Sequence, residues 1–121
     1  MKINKPKDDA RYSWTNHVVD KMNQYQLSPQ MVKRVIRSPR RVEAGVAPRT
    51  TAVMQTRGNK RKTEIWVMYT PAKRESSKFK AQNSKLGKIK IISAWRYPGV
   101  SPVRGAIPIP PDIMEELEKI T

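Results

Sequence analysis

Trp14, Val18, Met22 and Tyr25 recur at i, i+4, i+8 and i+11, one apolar stripe of a 3.6-residue period, and Val19 widens it. The spacing predicts a helix capped by Ser13 or Thr15 and running to about Gln26, with His17, Lys21 and Gln24 on a neighbouring polar stripe. Leu27-Ser28-Pro29 then interrupts the pattern. Ser28 is a good N-cap, and Pro29 suits the first helical position, where its missing N–H is not needed. A second helix is expected to about Arg37, ending before Ser38-Pro39 because the residue ahead of a proline avoids helical dihedrals. Its apolar face is Val32, Val35 and Ile36. Lys33, Arg34 and Arg37 occupy the other side, and Arg40 and Arg41 follow directly.

Beyond this point the period falls to two. Arg41 to Ala44 predicts a short strand and Thr50 to Thr56 another. Arg57-Gly58-Asn59-Lys60 supplies a hairpin turn, since Gly and Asn tolerate positive φ. Thr63 to Thr70 is the strongest strand pattern, with Ile65, Val67 and Tyr69 on one face and Trp66 and Met68 on the other. Apolar residues on both faces mark a central strand. Lys88 to Tyr97 is the last strand, with Ile89, Ile91, Ser93 and Trp95 expected on one face and Lys90, Ile92, Ala94 and Arg96 on the other. Between these two strands, residues 71–87 hold five Lys and Arg and almost no apolar period, which predicts a long basic loop. Pro98, Pro102, Pro108, Pro110 and Pro111 mark an extended arm, and Asp112 is expected to cap a short acidic helix from Ile113 to Ile120.

The order of elements predicts an α+β fold: two N-terminal helices packed on a three- to four-stranded antiparallel sheet, with the other sheet face open to a ligand. Residues 1–12 are expected to be a flexible N-terminus, 13–97 the domain, and 98–121 the Pro-rich arm and acidic helix.

Charge narrows the function. The 121 residues carry 25 Lys and Arg against 10 Asp and Glu, a net charge of +15. Between Lys21 and Arg104 there are 20 Lys and Arg against three acids, a net of +17, whereas from Asp112 onward four acids face one Lys. A field of this strength draws in phosphate-bearing partners, and RNA is the expected one. An anionic membrane surface fits less well, because no basic helix has a broad apolar face. The chain has no cysteine, which rules out disulfides and thiolate zinc sites and is compatible with the cytoplasm. No segment approaches a membrane span, and with no apolar run near its start a secretory leader is not expected. With one histidine, no carboxylate cluster and only isolated glycines, neither a metal, a phosphate loop nor any other cofactor is expected.

Metal-free RNA cleavage remains chemically accessible. It needs a base for the 2′-hydroxyl, cations for the phosphorane and an acid for the leaving oxygen. His17 is the one side chain of a type whose unperturbed pKa lies near neutrality. Lys21, Arg34, Arg37 and Arg96 could hold phosphate, and Tyr97 or Tyr69 could donate a proton. A two-histidine mechanism is excluded by count. For binding, Lys33, Arg34, Arg37, Arg40 and Arg41 form a run with no acidic partners on the second helix. Arg57, Lys60 and Arg61 in the hairpin and Lys73, Arg74, Lys78 and Lys80 in the basic loop extend it. Trp95, near a strand end, is a candidate to stack a base.

His17-Val-Val-Asp-Lys21-Met22, then Leu27-Ser28, Val32, Val35-Ile36 and finally Ile91-Ile92-Ser93-Ala94-Trp95 resemble small RelE/BrnT-like proteins, most closely relatives with a histidine early in the first helix. The resemblance covers residues 14–97. It implies a helix-plus-antiparallel-sheet fold, a toxin-type metal-independent endoribonuclease activity, possible ribosome association, and an acidic antitoxin as partner. By position it assigns His17 to the family histidine and Lys21 to the first family arginine, and it puts Tyr25 where a second arginine is expected. Two alternatives stand beside it: a nucleic-acid-binding module without chemistry, and a protein-interaction subunit that uses the arm and acidic tail.

Overall fold

A computed structural model of the chain describes residues 2–45, 47, 49–58, 60–71, 88–102 and 105–120, with side chains up to Glu115. The elements run β1 (Tyr12–Trp14), α1 (Asn16–Tyr25), α2 (Pro29–Arg37), β2 (Arg41–Ala44), β3 (Thr51–Arg57), β4 (Thr63–Pro71), β5 (Ile89–Pro98) and α3 (Pro111–Ile120). The fold is α+β, with three helices on one five-stranded mixed sheet of order β1-β5-β4-β3-β2. Strands β2 to β5 pair antiparallel, and β1 lies parallel to β5.

Local chemistry explains the helix ends. Thr15, not Ser13, caps α1, its hydroxyl accepting from the N–H of Val18 at 3.0 Å; Ser28 does the same for Met31 in α2, with Pro29 in the first turn. At the C-terminus of α2 the Ser38 N–H donates to the Arg34 carbonyl, and the Gln55 amide donates to that carbonyl and to the carbonyl of Ser38. Arg34 and Arg37 lie in that last turn, where cations complement the helix dipole. The β3–β4 turn needs Gly58, whose φ is +97° and whose Cβ would meet the Arg61 carbonyl oxygen at 2.3 Å.

Strand β4 is central, as its two apolar faces require. Ile65, Val67 and Tyr69 join Val18, Met22, Val32 and Val35 in a core beneath α1 and α2. Trp66 and Met68 join Ala52, Met54, Ile92, Trp95 and Ile113 in a second core on the opposite face. That second face is therefore closed, contrary to the expectation of an open one. The arm folds back over it through Ile107, Ile109 and α3.

The N-terminal segment packs against the domain. Ile3 is buried in the first core, and Tyr12–Trp14 forms β1, so Trp14 is a strand residue. Asp9 holds the turn before β1 by accepting from the N–H groups of Tyr12 and Arg11, both at 2.8 Å, and these bonds lower its pKa. In β5 the strict alternation breaks at a bulge: Ser93 faces Met68 while Ile91 already faces Tyr69. Ile91 and Ile92 keep opposite faces, but beyond the extra residue Ala94 joins Ile91 in the first core and Trp95 joins Ile92 in the second, so Trp95 lies opposite to the face its spacing predicted. No helix among the described residues is long and apolar enough to cross a membrane.

Candidate nucleic-acid interface

The residues expected to cleave RNA do not converge. His17 stands in the first turn of α1, with Nε2 3.0 Å from the Ser93 hydroxyl at the β5 bulge. Ser93 is itself fully buried, so this contact fastens α1 to β5 and presents no nucleophile. Arg96 lies at the other end of α1, where it reaches the Tyr25 carbonyl and the Thr63 hydroxyl, both at 3.5 Å. Eight helical residues separate His17 from Tyr25, a rise of about 12 Å. Tyr97 points to the opposite sheet face, against the second core. Tyr69, the other candidate acid, packs against the first core, and burial raises its pKa. Lys21 pairs with Asp112 at the start of α3 and donates to Gln24 at 3.0 Å. Its neighbour Tyr25 has a raised pKa, chiefly from burial and then from the Asp112 charge.

Two residues assigned to nucleic-acid binding are structural. Trp95 is fully buried. Its ring stacks on Trp66 at 6.1 Å and 7°, and its Nε1 donates to the Pro108 carbonyl at 3.0 Å. No base can reach it, which corrects its expected role. Arg41 has a side chain only 10% exposed. Its Nε donates to Glu43 at 2.6 Å and its two terminal nitrogens to Ser101 Oγ and the Gly105 carbonyl, each at 3.0 Å, while the guanidinium covers the Trp66 ring at 5.2 Å. With its donors committed to the arm, Arg41 is corrected to a clamp residue.

The spacing rules did not single out Glu64, which organises this clamp. It is fully buried and accepts from Trp66 Nε1 at 3.0 Å, from the Ser101 N–H at 3.0 Å and from the Ser101 hydroxyl at 2.6 Å. The available signal was a single acid inside the apolar run of a central strand: a buried carboxylate needs several donors. Every buried side-chain nitrogen and oxygen among the described residues has a partner.

Several of the remaining cations lie at the hairpin end of the sheet, while Arg11, Arg49, Lys88 and Lys90 lie towards its other end. Gln55 ties the end of α2 to β3, which puts the exposed Arg34 and Arg37 close to Arg57, two residues further along the same strand face. Arg57 pairs with Thr63, whose hydroxyl meets Arg96. The hairpin then carries Lys60, Arg61 and Lys62, all exposed, and Arg40 is exposed just beyond α2. Lys33, one turn before Arg37 on α2, extends 5.4 Å over the Tyr12 ring. Lys73, Arg74, Lys78 and Lys80 lie outside the described residues. The ion pairs among the described residues are Lys21–Asp112 and Arg41–Glu43, so acids leave the hairpin-end cations unneutralised. No three His, Asp, Glu or Cys among the described residues stand together as metal ligands. No family model, curated protein or solved structure matches the chain, so its functional reading rests on this geometry and charge.

Proposed function

We propose that the chain is an RNA-binding protein that acts without cleaving its ligand, through the basic face made by the end of α2 and the β3–β4 hairpin. The observation that carries this reading is the set Arg34, Arg37, Arg40, Arg57, Lys60, Arg61 and Lys62 on adjoining elements, with no acid paired to any of them among the described residues. Such a set neutralises phosphates and releases their counterions on binding. The RelE/BrnT-like reading draws support from α1 and α2 preceding the antiparallel strands β2 to β5, whereas β1, ahead of α1 and parallel to β5, departs from the three- to four-stranded antiparallel sheet it implies. Binding is preferred to toxin-type cleavage because His17, Arg96 and Tyr97 are dispersed over both ends of α1 and both sheet faces. The cytoplasm is the proposed location, and an acidic protein partner would compete for the same face.

The test incubates purified protein with end-labelled RNA in EDTA and follows both retention and integrity. Retained, intact RNA is expected, with affinity falling log-linearly in salt at about −0.7 to −0.9 per phosphate neutralised. Salt-insensitive retention would remove the electrostatic reading. Fragments with cyclic phosphate ends, absent from the His17→Ala reaction, would restore the nuclease.

A further inference from the structure

Among the described residues the basic face offers charge without rings. Among the described residues every aromatic side chain is committed to packing. Tyr12, Trp14, Trp66 and Trp95 are buried, and Tyr25, Tyr69 and Tyr97 are half-buried against the two cores. Both sheet faces are covered, one by α1 and α2 and the other by the arm, so no sheet surface can serve as a stacking platform. Single-stranded nucleic acid is held by combining a basic groove with aromatic rings on which successive bases stack. The described residues supply the cations of that combination and not the rings.

Double-helical RNA needs no such rings. Its bases are already stacked on one another, and proteins read its shape through phosphates and through the 2′-hydroxyls of the wide minor groove. The exposed surface of α2 suits that chemistry. Gln30, Arg34 and Arg37 recur at i, i+4 and i+7, all exposed, forming one stripe along the outer face while Val32 and Val35 point into the core. An amide both donates and accepts, as a 2′-hydroxyl does, and the two guanidinium groups present forked donors to phosphate oxygens. Lys60, Arg61 and Lys62 on the adjoining hairpin supply further cations for phosphate. We propose that the ligand of this face is the backbone of a double-helical RNA, gripped by the α2 stripe and the β3–β4 hairpin without base stacking.

This inference rests on the RNA-binding reading above, and one competition experiment separates the two. A labelled RNA duplex of about 16 base pairs, a span that shape-reading domains occupy, is bound by the full chain. It is then competed with unlabelled duplex RNA, each of its single strands, and the DNA duplex of the same sequence. The duplex RNA is expected to compete at least about tenfold better than either strand and better than the DNA duplex, with affinity unchanged when the base-pair sequence is permuted and a salt slope near −0.9 per phosphate. Gln30→Ala is expected to narrow the gap between RNA and DNA duplexes while leaving DNA affinity in place. Equal or better competition by single strands would overturn the duplex proposal and leave the RNA-binding reading intact. Equal competition by duplex DNA would overturn its 2′-hydroxyl component. Failure of every nucleic acid to bind would remove the underlying reading itself.

Discussion

Replacing Glu64 by Gln keeps the shape of a buried network and removes one acceptor from it. Three donors converge on this carboxylate: Trp66 Nε1 and the Ser101 hydroxyl on Oε1, and the Ser101 N–H on Oε2. A Gln amide has one oxygen. If that oxygen takes the Oε1 position, the Ser101 N–H faces an amide NH₂; if it takes the other, Trp66 Nε1 does. Either way one buried N–H is left without its acceptor, and bonds to a charged group become neutral ones. An unsatisfied buried donor costs about 1–3 kcal/mol, and the charge-assisted bonds were the stronger kind, so we expect a loss of about 2–3 kcal/mol. At about 2.1 cal/mol/K of unfolding entropy per residue, that lowers the Tm by about 8–12 °C. The assay is urea unfolding followed by tryptophan fluorescence, since Trp66 and the Trp95 ring stacked on it lie beneath the arm that Ser101 anchors. Ser101→Ala, which keeps the backbone donor, should be destabilised less, and the double variant less than the sum of the two single ones. A Glu64→Gln stability that matches the parent to within about 0.5 kcal/mol, the scatter of ordinary surface changes, would refute the role of Glu64 in the clamp.

Three further outcomes follow from the same structure. Asp112 has a lowered pKa, mainly from its bond with Lys21, so its contribution to stability is complete above the unfolded value of about 3.9 and is lost as pH falls through the lower folded value; Asp112→Asn should therefore be less stable than the parent near neutrality and converge with it in acid unfolding curves. Gly58→Ala forces a side chain into positive φ and against the Arg61 carbonyl, and should cost more than about 1 kcal/mol in thermal unfolding. Trp95→Phe should reduce stability, by about 1–3 kcal/mol in denaturant, yet keep the parent's RNA affinity in a filter assay, because the ring is sealed in the second core.

Much of the fold was legible because local chemistry and burial agree there. The α1 stripe, the Ser28-Pro29 start of α2, the hairpin at Gly58 and the two-faced apolar pattern of β4 each require what the structure adopts. Three features were not legible, each for a physical reason. Strand β1 has three residues, too few for a period of two to emerge, and its pairing with β5 spans more than seventy residues of chain. The bulge at Ile92–Ser93 inverts the faces of the residues after it, so regular alternation put Trp95 on the wrong side. Closure of the second face depends on Ile107 and Ile109, set among prolines that cannot extend a strand or helix pattern, and on Ile113 at the start of the last helix. The site followed the same division. The exposed cations of α2 and the hairpin were read from sequence because exposure needs no partner. Arg41 was misread because a guanidinium committed to Glu43, Ser101 and Gly105 looks the same in sequence as a free one.

The proposed RNA ligand is held by this particular face and not by net charge in general. The direct measurement compares two triple variants that remove the same charge: Arg34→Gln, Arg37→Gln and Arg57→Gln at the end of α2 and the hairpin, and Lys2→Gln, Lys5→Gln and Lys7→Gln in the N-terminal segment. Binding of labelled RNA is titrated at several salt concentrations for both and for the parent. The first variant is expected to weaken binding and to flatten the log–log salt slope by about 0.7–0.9 for each phosphate that is no longer neutralised, with the second close to the parent. Equal weakening and equal slopes in the two variants would contradict a localised interface and leave only a diffuse field.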